Sequence, residues 1–166
     1  MRQTIGATWI FQLVIIFTLI FAAYIALTIN FSKSFRVKNE VLSIIEKSQG
    51  MTYDGVKLIN GYLQSTGYHA FGKCAFQESA VVYGVTSLDP VSPKVERMQE
   101  GKEYYYCFSK FSNYHDYFKT RGYYRVTLFF KFDLPVLGDI YSFNVDGQTS
   151  EIDATYDYQE LNSWNV

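Results

Sequence analysis

The residues able to do chemistry in this chain are few and far apart. Two cysteines, Cys74 and Cys107, form an even pair without CxxC spacing, a pattern that suits a disulfide better than a metal site. The alternative is two buried free thiols acting as small hydrophobes. The two histidines are His69 and His115, the second followed by Asp116 in a polar stretch. A neighbouring His-Asp pair is too common to define a catalytic base. Asp133 and Asp139 flank a proline loop, where a solvated turn accounts for them better than a calcium site does. No HExxH, G-x-S-x-G, phosphate-cradling glycine loop or EF-hand spacing occurs. The expectation is a non-enzymatic protein that needs no cofactor and no metal.

The most unusual polar residue is Gln12, which lies inside the apolar run Trp9–Ile29, broken otherwise only by Thr18 and Thr28. An amide in hydrocarbon is costly unless it finds a partner, and a second helix is the usual one. Ala22, Ala23 and Ala26 would let such a helix approach closely. The alternative is an amide that snorkels to the interface from near the helix start.

Those residues need a long helix to position them. From Ala7 to Gln49 there are 43 residues without glycine or proline, and between Arg2 and Lys33 only Tyr24 is ionisable. The 21 residues of Trp9–Ile29 would span ~30 Å as a helix, the thickness of a bilayer core. Ser34–Ser48 keeps helical periodicity but becomes amphipathic, with Val37, Val41, Ile44 and Ile45 along one side. The apolar run is too long for a cleavable secretory signal, and Thr28–Ser34 offers no A-x-A site. The chain is expected to divide into a short head over residues 1–8, a transmembrane helix over 9–29, its amphipathic continuation over 30–49 and an α+β domain over 50–166.

Charge and cysteines point in opposite directions on topology. Lys33, Arg36 and Lys38 flank the C-terminal end of the span and only Arg2 the other, so the positive-inside rule alone would leave the large domain in the cytoplasm. A disulfide would put it outside, and the reading favours an extracytoplasmic domain on a single-pass membrane protein. Fifteen basic and sixteen acidic residues leave a net charge of −1, no electrostatic footprint for nucleic acid.

Beyond Gly50, placed to cap the long helix, a second helix is expected with Asp54 as its cap. Val56, Leu58, Ile59, Tyr62 and Leu63 would form its apolar face, and Gly67 would end it. Strands are expected over Ala80–Val85, Tyr104–Phe111, Tyr124–Phe132 and Ile140–Val145. The loop Asp89–Pro93 and the connection Asn113–Gly122 separate them, and Leu134–Gly138 breaks the run. Asp146-Gly147 reads as a tight turn into a last strand, Gln148–Ile152. The fold class is α+β: a long N-terminal helix, a short second helix and an antiparallel β-meander. Tyr104–Tyr106 and Tyr114–Phe118 are either sheet core or a contact face, and Trp164 suggests an ordered tail.

This layout resembles type IV pilin-like proteins, and within them the TadE-like pseudopilins of tight-adherence pilus systems. The resemblance is carried by Met1–Gly6 as a leader-like head, by Ala7–Ile29 as the hydrophobic segment and by Val126–Ile152 as closing strands. It implies cleavage by a prepilin peptidase between Gly6 and Ala7, and packing of the helix with other pilin-like subunits in a pilus or secretion-type assembly. At the fifth residue after that point the family usually carries glutamate, and this chain has Phe11. A reading from a different class is a monomeric anchored binding module with an aromatic-rich domain.

Overall fold

The computed structural model describes residues 2–78, 80–113, 121–134 and 138–153. Its backbone begins with one unbroken helix, α1 (Arg2–Lys47), followed by α2 (Tyr53–Ser65) and eight strands. The segment expected as a short head is thus helical from Arg2 onward, and Gly6 and Ala7 lie within α1. The strands are β1 (Gly72–Lys73), β2 (Val82–Ser87), β3 (Lys94–Arg97), β4 (Glu103–Tyr104), β5 (Tyr106–Asn113), β6 (Arg121–Leu134), β7 (Gly138–Gln148) and β8 (Ile152–Asp153). The expected segments 114–120, 135–137 and 154–166, with His115, Tyr114–Phe118 and Trp164, lie outside the described residues.

Both helices end in the same motif, built from different residues. At the end of α1 the Gly50 N–H donates to Ile45 O (3.0 Å) and the Gln49 N–H to Glu46 O (3.2 Å). At the end of α2 Tyr68 N–H donates to Leu63 O and Gly67 N–H to Gln64 O. These are paired Schellman bonds, which need a left-handed residue just past the helix. After α2 that residue is Gly67 (φ 71), as expected; after α1 it is Gln49 (φ 55), one position before the glycine assigned the role. The α2 N-cap is Thr52, whose hydroxyl accepts from Gly55 N–H (3.1 Å), and Asp54 instead sits in the first turn, where its charge suits the helix dipole.

The main sheet is antiparallel with order β3-β2-β5-β6-β7, and β8 pairs with β6. β5, β6 and β7 form a meander, but β3 folds outside β2 before the chain returns as β5. A second, two-stranded sheet joins β1 to β4. Alternation sorts the side chains cleanly. Val85, Tyr106, Phe108, Tyr124, Val126 and Leu128 pack with Val37, Val41 and Ile45 of α1 and Val56, Ile59 and Leu63 of α2. A smaller cluster of Val82, Tyr104, Cys107, Phe129 and Ala70 is separate from it, and on these strands its members alternate with those of the first.

The expected turn at Asp146-Gly147 is not formed. β7 runs straight through it, pairing Asp146 with Thr127 and Gly147 with Val126. The two-stranded hairpin is instead β6–β7, closing at Leu134 and Gly138, across the proline break. Gly147 serves a different purpose: a Cβ there would sit 2.8 Å from Leu42 Cδ1 and 3.1 Å from Lys38 Cδ. Its bare backbone lets the long helix lie close on the sheet.

Candidate functional site

The strongest candidate is the helix itself, at the point where it stops being bare and becomes core. Every described residue from Thr8 to Ile25 is exposed, including Trp9, Phe11, Phe17 and Phe21. Thr8–Lys47 holds a stretch long and apolar enough to cross a membrane, and none of that stretch is buried in the protein. An unbroken apolar surface of this size requires a non-aqueous surrounding or a partner.

Most polar groups along the rod are satisfied locally. The Thr18 hydroxyl donates to Val14 O (2.7 Å) or Ile15 O (2.9 Å), Thr28 to Tyr24 O (2.9 Å), and Asn30 Nδ2 to Ala26 O (3.0 Å). These back-bonds return each side chain's proton to the helix's own carbonyls. Gln12 has no such bond among the described residues and stays exposed.

The helix residues singled out for packing, against the protein's own domain or against neighbouring helices, divide into two sets. Val37, Val41 and Ile45 are 4%, 0% and 0% exposed inside the protein's own core, and Ile44 packs against that core. The amphipathic stripe is therefore covered intramolecularly, because α2 and the sheet present a matching apolar face. Ala22 and Ala23 remain open with Gln12, and Ala26 marks the boundary, half-buried. Burying each aliphatic side chain contributes roughly 1.5–3 kcal/mol, so the lower half of the rod is bound tightly to the head. Glu46 adds a clasp: its carboxylate accepts from Ser150 N–H (2.8 Å) and Ser150 Oγ (2.9 Å).

Cys74 and Cys107 form a disulfide that ties the loop after β1 to β5 within the smaller cluster. Two buried polar nodes went unforeseen. Asn60 is fully buried in α2 and donates from Nδ2 to Ser87 O (3.1 Å) and Asp89 O (3.2 Å), while its Oδ1 accepts from Tyr106 OH (3.0 Å). Tyr68 OH donates to Tyr105 O (2.7 Å) and accepts from Phe129 N–H (2.9 Å). Burial pushes the phenols of Tyr68 and Tyr106 well above the ordinary tyrosine value, which keeps both as donors. Tyr104 and Tyr106 are core residues rather than a contact face, 1% and 0% exposed. Leu58, assigned to the apolar face of α2, is 60% exposed; the buried position two residues on belongs to Asn60.

His69 is exposed, with Nδ1 2.6 Å from Gly67 O. A carbonyl only accepts, so Nδ1 carries the proton. Among the described residues no group of three or more His, Cys, Asp or Glu side chains gathers to hold a metal. The side chains of Asp133 and Asp139 lie outside the described residues.

Fold and site together define a disulfide-tied α+β head carried on a helix long and apolar enough to cross a membrane. No family model matches the chain, and neither a curated protein nor a solved structure matches it.

Proposed function

We propose that this protein is a membrane-anchored, non-enzymatic pilin-like subunit whose bare upper helix packs against the helices of other such subunits, with its head outside the membrane. One observation carries the reading. The helix is continuous from Arg2 to Lys47, yet only its second half is used by the protein's own core. The first half presents an unpartnered amide, Gln12, and the small residues Ala22 and Ala23, the features that favour helix association in a bilayer. The disulfide supports an oxidising compartment for the head.

Substituting Ala22 and Ala23 together by Phe tests the reading on the part of the rod that the head does not use. The disulfide and head stability should be unchanged, while partner subunits are lost on detergent co-purification. Undiminished co-purification overturns the proposal. Intact-mass measurement adds a second check, since loss of Met1–Gly6 is expected for processing by a prepilin peptidase.

The monomeric binding module gains from one observation: the amphipathic stripe is already covered by its own head, so nothing in the lower rod requires a second subunit. The co-purification experiment separates the two readings.

A further inference from the structure

A cavity of about 150 Å³ opens where α1 leaves its bare half and meets the head. It is lined by Lys33, Ser34 and Val37 of α1, by His69 and its neighbours after α2, and by Phe130, Lys131 and Phe143 of the sheet. Three of the lining residues are basic or can become so, and none is acidic. Among the described residues neither Lys33 nor Lys131 has a carboxylate within ion-pair distance; Lys131 Nζ instead rests 4.5 Å from the Phe71 ring centroid. The hydroxyl protons of Ser34 and Thr66 are committed to Phe31 O and Leu63 O. The strongest donors left for a ligand are the two ammonium groups, with the second Asn30 Nδ2 proton and the His69 ring beside them.

Position narrows the ligand. Lys33 follows Ile29, the last residue of the apolar run, by one helical turn, ~6 Å along the axis. The headgroup layer on each side of a bilayer is ~5–8 Å deep, so the cavity mouth falls within it. Phe31 lies at the same level, its ring centroid 5.2 Å from that of Phe143. We propose that this cavity binds the phosphate of an anionic phospholipid headgroup, held by Lys33 and Lys131 over the apolar floor of Val37, Phe130 and Phe143. The proposal rests on the reading of α1 as a membrane anchor.

The test is native mass spectrometry of the full-length protein from detergent micelles, offered phosphatidylglycerol or phosphatidylcholine with the same acyl chains. The wild type should retain phosphatidylglycerol in preference to phosphatidylcholine. The double variant Lys33→Gln, Lys131→Gln should lose that preference by about tenfold or more, since each basic group at a membrane surface contributes appreciably to anionic-lipid binding. Lys57→Gln with Lys94→Gln, two lysines away from the cavity, should keep it. Equal retention of both lipids, an unchanged double variant or an equal loss in the control pair overturns the proposal. Displacement of phosphatidylglycerol by millimolar inorganic phosphate also overturns it, assigning the cavity to a soluble ligand. Alkaline carbonate extraction of native membranes keeps two failures apart. Release of the protein would overturn the anchor reading itself; a protein that stays membrane-bound without lipid preference overturns only the cavity assignment.

Discussion

Asn60 serves two backbone carbonyls and one phenol with a single buried amide, so its loss takes a partner from all three at once. Asn60→Ala should destabilise the head by about 2–4 kcal/mol, since each orphaned buried group costs ~1–3 kcal/mol and part of the deficit relaxes. A shift in the urea midpoint of the detergent-solubilised protein measures it. The tyrosines predict a pH dependence of definite sign. Tyr68 and Tyr106 have raised values in the folded state, so the folded protein holds these protons more tightly than the unfolded chain does. Their contribution is complete below the ordinary tyrosine value of 10.0 and is lost as pH rises through the raised values. Melting temperature should fall as pH rises above about 10, and Tyr68→Phe should have the shallower slope. The sequence marked Tyr106 only as sheet core or contact face, and it announced neither Asn60 nor Tyr68. Asn60 differs from its neighbours only in chemistry, and burial of a polar side chain depends on carbonyls brought in from 27 and 29 residues away.

At the level of elements, the two Schellman caps make opposite predictions for the same substitution site. Gln49 holds a left-handed conformation that disfavours a Cβ, so Gln49→Gly should stabilise by about 0.5–1 kcal/mol. Gly67 already has the suitable residue, with nothing within 4 Å of an added Cβ, and Gly67→Ala should cost about 1 kcal/mol from strain alone. Thermal melts of the two variants should move in opposite directions. Helix content was legible here because it follows from a local period: the second helix and its glycine end stand where the pattern put them, and so does the long rod apart from its start at Arg2, inside the expected head. The main strands were legible from alternation, as in Val126 and Leu128 facing the helices while Arg125 and Thr127 do not. Asp146-Gly147 was misread because a turn-forming dipeptide also suits a flat place where a helix must approach a strand. That need arises from α1, a hundred residues earlier in the chain. The short strands β1, β3 and β4 carry too few residues to show a period.

For the whole molecule, the covered stripe changes what a charge in the lower rod would do. Val41→Asp places a carboxylate at a fully buried position and should cost the head about 4 kcal/mol. On the reading of α1 as a membrane anchor, insertion should be unaffected, because the apolar stretch lies elsewhere; limited proteolysis of membrane-embedded protein would show the head cut while the rod stays in place. Reduction of Cys74–Cys107, which closes a loop of sequence separation 33, should remove about 3–4 kcal/mol in the chain-entropy account. The three lysine and arginine side chains beyond the span also take on a second meaning. If Lys33 belongs to a lipid site, the basic excess at that end is not purely a topology signal, which eases its conflict with the disulfide. Finally, α1 runs 46 residues without glycine or proline after Gly6 and is clamped to the sheet at Gly147 and to the loop after β7 at Glu46. Such a shaft has no elbow. If α1 spans a bilayer as proposed, whatever tilt it takes there is passed on to the sheet, so the thickness of the lipid becomes a dial that sets the direction in which the head faces.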